Sequence, residues 1–104
     1  AYEILSVDGI DGFFIGPTDL STSLGIMGRW GDPILEAAIQ EALEEGRRAK
    51  VAPGIVGLDL EDVKKRLSQG FQFVSVGSDV GFLCGAAQAS IEQVRAYLTK
   101  TDRQ

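Results

Sequence analysis

Three short apolar runs, each closed by a glycine-containing turn and each followed by a helix-forming segment, constrain this chain more than any other feature. The runs are Gly12–Gly16, Pro53–Val56 and Phe73–Val76; the turns are Gly16-Pro17, Val56-Gly57 and Gly77-Ser78. The first run places Phe13, Phe14 and Ile15 in succession, which suits a strand buried on both faces of a parallel sheet. After it, Asp32 can cap a helix that takes Pro33 in its first turn and runs to Ala49. Leu35, Ala38, Ile39, Ala42, Gly46 and Ala49 fall on one face, and Arg47, Arg48 and Lys50 oppose the negative helix end. Asp59 caps a second helix with Leu60, Val63 and Leu67 inward and Lys64, Lys65 and Arg66 toward water; Gly70 stops it. Asp79 opens and caps the last helix, expected to bury Leu83, Ala87, Ile91, Val94 and Leu98. Strand–helix repetition of this kind implies an α/β fold with parallel strands and right-handed crossovers.

With 104 residues, the chain has room for one domain and one core. Three β/α units are visible, whereas a closed barrel needs eight and about 250 residues. Residues 1–104 therefore read as a single partial α/β domain. Tyr2, Ile4 and Leu5 read as the end of an amphipathic helix, so the sequence is expected to open inside a longer pattern. The net charge of −5 opposes sequence-independent nucleic-acid binding, which needs a positive field. No apolar run reaches the length of a bilayer span, and Ala1–Ile10 has no signal-peptide pattern. The single cysteine, Cys84, forms no internal disulfide and reads as a small core residue in a reducing, cytoplasmic setting. There is no histidine, which removes His-based triads and His–zinc sites from the chain.

In α/β folds chemistry gathers beyond the C-terminal ends of the strands, which directs attention to three stretches. The first, Gly16-Pro17-Thr18-Asp19-Leu20-Ser21, begins a connection reaching Gly31, far longer than the usual 2–6 residues. Asp19 admits two readings there: an oxygen ligand for a hard divalent cation, or the cap of a short helical turn starting at Leu20. Met27 and Trp30 lie further along and are expected in a buried contact. The second stretch, Gly54-Ile55-Val56-Gly57, has small residues that permit close approach of a ligand or serve only the turn. The third, Gly77-Ser78-Asp79, opens a helix, where free N–H groups attract anions; Ser78 and the Gly77 backbone are candidate pocket lining.

The stretch Asp11-Gly12-Phe13-Phe14-Ile15-Gly16-Pro17-Thr18-Asp19-Leu20-Ser21 resembles the HpcH/HpaI aldolase family, the 4-hydroxy-2-oxoheptanedioate and 2-dehydro-3-deoxyglucarate aldolases. Ala52-Pro53-Gly54-Ile55 and Phe73-Val74-Ser75-Val76-Gly77-Ser78-Asp79-Val80 match in the same order. The resemblance implies the C-terminal three β/α units of a TIM barrel, strands 6 to 8. It implies a divalent metal, Mg²⁺ or Mn²⁺, and cleavage or formation of 4-hydroxy-2-oxo acids from pyruvate and an aldehyde. Asp19 would ligate the metal, the N–H groups around Thr18 and Asp19 would meet the pyruvate carboxylate, and Pro17, Val56 and Ser78 would line the substrate. The family's second metal carboxylate, its Arg and its His would precede residue 1, and Glu3 falls in the helix before strand 6. The chain alone is thus expected to be inactive. Its implied partners are a 2-oxo acid and further copies of itself or a complementing N-terminal part of the barrel. A citrate-lyase-like carbon–carbon lyase and a non-catalytic assembly piece are the alternatives.

Overall fold

The computed structural model of the chain describes residues 1–101. Its elements run α1 (Tyr2–Leu5), β1 (Gly12–Ile15), α2 (Pro17–Ser23), α3 (Pro33–Ala49), β2 (Ala52–Val56), α4 (Leu60–Gln69), β3 (Phe73–Ser75) and α5 (Asp79–Thr101). The strands form one parallel sheet in the order β1-β2-β3. The register sets Ile15 beside Ile55 and Ile55 beside Val74. Parallel pairing puts all three carboxyl ends on one side, as the strand–turn–helix rhythm predicts. Pro53 is tolerated in the central strand because it sits before β3 begins. Its carbonyl accepts from Gln72 N at 2.9 Å, and proline has no N–H to give to the ladder.

Side chains alternate across the sheet. Phe13, Ile15, Pro53, Ile55 and Val74 share the face covered by helices, where Ile15, Ile55, Leu35, Ile39, Leu43, Ile26 and Phe71 make the core. The opposite face carries Phe14, Gly54, Phe73, Val56 and Ser75. Phe14 and Phe73 stack across Gly54 with ring centroids 5.5 Å apart, yet remain 49% and 43% exposed. The expectation that β1 is buried on both faces is therefore corrected. No element of the described residues covers this second face, and a continuous apolar run reports only that both faces suit burial.

Helix α3 forms as expected: the Asp32 carboxylate accepts from Ile34 N at 2.9 Å, and Lys50 closes the helix in the left-handed conformation. Helix α4 is capped by Asp59, accepting from Asp62 N at 2.7 Å, and ended by Gly70 at φ 111°. Its inner face differs from the expected one. Val63 and Arg66 are buried, while Leu60 and Leu67 are 66% and 51% exposed. Arg66 turns inward because α3 offers it a carboxylate. Its two terminal nitrogens donate to Glu36 at 2.7 and 2.9 Å, and its Nε lies 3.2 Å from Asp62 without hydrogen-bond geometry. Lys65 adds a second cation to Glu36 at 3.1 Å. Arg66 chiefly, with Lys65, holds the Glu36 carboxyl below its ordinary value. For Arg66, burial opposes the charge, but the hydrogen bonds to Glu36 and the negative charges of Asp62 and Glu36 outweigh it, raising its value.

The last helix departs furthest from expectation. None of its 23 residues is buried, and Leu83, Ile91, Val94 and Leu98 are exposed, as is Cys84. The helix-facing side of the small sheet is already occupied by α3 and α4, so the apolar stripe of α5 has nothing opposite it. The principal extents of 69 × 27 × 22 Å and the radius of gyration of 18.9 Å record the projection. A compact chain of this length has a radius of about 13 Å. The accessible surface of 7360 Å² likewise exceeds the roughly 5,650 Å² of a compact monomer of this mass.

Candidate functional site

The carboxyl edge of the sheet is built from three turns. After β1 the chain enters α2 at once, with Gly16 as N-cap and Pro17 buried in the first turn. The first helical hydrogen bond runs from Leu20 N to Gly16 O at 2.9 Å, so the amides of Thr18 and Asp19 stand ahead of it. Gly16 has no side chain to cap them. The reading of Asp19 as a cap for a turn starting at Leu20 is thereby corrected: the helix starts at Pro17, and Asp19 lies inside its first turn. Ser21 and Thr22 hydroxyls both donate to the Thr18 carbonyl at 2.8 Å, which fixes this turn.

The other two turns use their aspartates differently. Asp59 is the cap of α4. At α5 the expected Asp79 cap is corrected: Ser78 takes that place, its Oγ accepting from Gly81 N at 3.1 Å and its carbonyl from Phe82 N at 2.8 Å. Asp79 accepts instead from the adjacent Val80 N. Asp19 is exposed and makes no hydrogen bond or ion pair among the described residues. It is thus the uncommitted carboxylate of this edge.

The structure does not gather the five residues singled out in the sequence into one cavity. Asp19 lines a cleft of about 650 Å³ with Phe14, Gly16, Leu20, Glu41 and Glu45. Val56 and Ser78 line a second cleft of about 350 Å³ over the ends of β2 and β3. Pro17 and Thr18 line neither. The second cleft also holds Leu58, Val76 and Phe82, which sequence reasoning missed. Their common signal, position within a few residues of a strand end, was available without the geometry to rank it. Gly57 is more than a turn former. A Cβ there would come within 2.4 Å of Val63 Cγ2 and 2.8 Å of the Ser75 carbonyl oxygen, so glycine lets β2, β3 and α4 close together. Met27 and Trp30, expected in a buried contact, are 68% and 44% exposed; only Ile26 of that loop is buried.

A divalent cation needs several oxygen donors. Among the described residues no group of three or more His, Cys, Asp or Glu is placed to hold one. Asp19 has the right chemistry for one ligand, and this segment by itself does not build the rest of a coordination shell.

These features meet a direct comparison. A family model for HpcH/HpaI aldolase/citrate lyase matches residues 1–86. The chain belongs to this family. It is 41% identical over 97 residues to a 4-hydroxy-2-oxo-heptane-1,7-dioate aldolase of Shigella sonnei, covering 93% of this chain and 37% of the relative. A protein of the same name from Klebsiella pneumoniae is 44% identical over 87 residues, 84% of this chain and 33% of its own. The chain thus spans about a third of the curated relatives it matches, in their C-terminal part. Among solved structures, an HpcH/HpaI aldolase/citrate lyase family protein from Burkholderia cenocepacia superposes with a TM-score of 0.87 at 33% identity. That match covers 90% of this chain and 37% of the other. A citrate synthase, SbnG, superposes with a TM-score of 0.82 at 27% identity, over 92% and 39%. Among the described residues no helix is long and apolar enough to cross a membrane.

Proposed function

We propose that this chain supplies strands 6 to 8 of a TIM barrel in a divalent-metal-dependent aldolase. The enzyme would cleave or form 4-hydroxy-2-oxo acids from pyruvate and an aldehyde in the cytoplasm. The observation that carries the reading is the uncommitted Asp19 carboxylate at the carboxyl edge of the sheet, in a chain whose relatives are named aldolases. In this reading Asp19 gives one ligand to Mg²⁺ or Mn²⁺, and ligands from outside residues 1–104 complete the shell. The metal supplies Lewis-acid polarisation of a keto oxygen when bound. The chain's own part is positional. The amides of Thr18 and Asp19 receive the substrate carboxylate at the positive end of α2, Pro17 fixes that turn, and Val56 and Ser78 border the far side.

The open sheet face, the two sheet edges and the bare stripe of α5 support assembly, with copies of the chain or with the rest of the barrel. The chain alone is then inactive. A second reading, a carbon–carbon lyase acting on citrate-like acids, is favoured by the likeness to the citrate synthase SbnG. In the full-length protein, Asp19→Ala should abolish metal-dependent aldol cleavage and weaken Mn²⁺ binding, measured by paramagnetic relaxation. Wild-type turnover and Mn²⁺ affinity in that variant would refute the role. Cleavage of a citrate-like acid, with none of a 4-hydroxy-2-oxo acid, would select the second reading.

A further inference from the structure

We infer that Ser21, supported by Thr22, is a positioning residue for Asp19: its buried hydroxyl anchors the Thr18 carbonyl and so sets the direction in which the Asp19 carboxylate meets a divalent cation. The inference rests on the aldolase reading above and adds to it a residue that touches neither metal nor substrate.

Ser21 and Arg66 are the buried polar side chains among the described residues. Arg66 is accounted for by its carboxylates. Ser21 is 0% exposed and donates its hydroxyl to the Thr18 carbonyl at 2.8 Å. Alanine would fill the same place with a better helix former and no hydroxyl to desolvate, so what serine contributes here is the bond. Thr22, which is exposed, donates to the same carbonyl at 2.8 Å. Hydroxyls that bond back to a carbonyl three or four residues earlier bend a helix locally. Here two of them meet on one oxygen, that of the residue immediately before Asp19. They hold the Thr18–Asp19 peptide plane from its carbonyl side, and the Pro17 ring fixes the backbone ahead of it.

The anchor reaches the interior. The Ser21 carbonyl accepts from Ile26 N at 2.9 Å, and Ile26 is part of the core with Ile15 and Leu35. Packing is thus passed from Ile26 through Ser21 to Thr18 and on to Asp19. The Asp19 carboxylate leans back over the end of β1, its Oδ2 3.5 Å from where a Gly16 Cβ would stand. One carbon separates that carboxylate from the backbone, so a rotation of the peptide plane moves its oxygens directly. Metal–ligand distances are held to within about 0.2 Å, and groups behind a ligand tune affinity by orienting it. The other two helices at this edge are held differently. Asp59 and Ser78 stand in front of α4 and α5 and accept from the amides of Asp62 and Gly81. Helix α2 has Gly16 in that position and is held from within, so no cap side chain stands beside Asp19.

The test uses the full-length protein and reads Mn²⁺ affinity by paramagnetic relaxation. Ser21→Ala should weaken Mn²⁺ binding about fivefold, the scale of one shielded hydrogen bond, and Thr22→Val, whose bond is open to water, about twofold. Ser21→Cys keeps a side chain of similar shape with a weak donor and should behave like Ser21→Ala. Thermal unfolding checks that each variant is folded, and if Ser21→Ala is not, Ser21→Cys and Thr22→Val carry the same comparison. A double-mutant cycle separates positioning from general support: in an Asp19→Ala background, the Ser21 substitution should change Mn²⁺ affinity no further. Wild-type affinity in the folded Ser21 variants, or a loss that persists undiminished in Asp19→Ala, overturns the inference and leaves the aldolase reading standing. Unchanged Mn²⁺ affinity in Asp19→Ala itself overturns the aldolase reading and this inference with it.

Discussion

Arg66→Ala tests the clamp between α3 and α4. The Arg66 side chain is 2% exposed and donates twice to Glu36, at 2.7 and 2.9 Å, and once to Gln69, at 3.2 Å. Removing one partner of a buried ion pair destabilises by about 3–5 kcal/mol, because the other charge is left without compensation. Here the remaining partner is better placed. Glu36 is 23% exposed and keeps Lys65 at 3.1 Å, so water and a second cation take part of the load. The expected loss is therefore about 2–3 kcal/mol, below the range for a fully buried pair. With a urea slope of about 1–1.5 kcal/mol/M for a chain this size, the unfolding midpoint should fall by about 2 M at fixed protein concentration. Far-ultraviolet circular dichroism can follow it. Lys64→Ala is the control: its ion pair with Glu61 joins side chains that are 72% and 85% exposed. Such pairs contribute about 0–1 kcal/mol. An Arg66→Ala midpoint indistinguishable from that of Lys64→Ala would refute the buried clamp and return Arg66 to solvent, as the sequence pattern had it.

Glu36→Gln should destabilise the protein at neutral pH. Because the Glu36 value is lowered on folding, its contribution is present above its ordinary 4.5 and lost as pH falls through the folded value. The gap between wild type and variant should thus be flat above about pH 5 and close below it; a gap widening with acid would contradict the ion pair. Gly57→Ala should cost about 1–3 kcal/mol by thermal or urea unfolding, because the new methyl meets buried Val63 and the Ser75 backbone; unchanged stability would show that β2 and α4 sit further apart. On dilution, light scattering should find the isolated chain associated, given its excess surface; a cooperative monomer at every concentration would contradict assembly.

The parallel sheet, the extents of α3 and α4 and the carboxyl-edge position of Asp19 were legible because each rests on local signals: continuous apolar runs, Asp caps, and Gly70. The errors share a different cause. Arg66 was assigned to solvent because helical spacing marks a face but not whether a carboxylate waits across from it, and Glu36 lies thirty residues away in sequence. The stripe Leu83, Ile91, Val94 and Leu98 has the right period for burial, but period carries no information on whether a facing surface exists. The caps at Gly16 and Ser78 were misplaced onto neighbouring aspartates, because residue type favours Asp while backbone geometry decides which residue stands outside the helix. The separation of Asp19 from Val56 and Ser78 into two clefts depends on sheet register and turn direction, which single strands do not encode.

The bare last helix has a consequence for its own persistence. Helix α5, from Asp79 to Thr101, buries none of its residues, and Gly81 and Gly85 weaken its first turns. A helix without tertiary support opens with free energies near zero, so its amides exchange with solvent almost as fast as those of a free peptide. Burying the stripe of Ile91, Val94 and Leu98 would couple those openings to the unfolding of whatever covers it. Deuterium uptake along this one segment therefore acts as a gauge of assembly, slow where the helix is covered and fast where it is not.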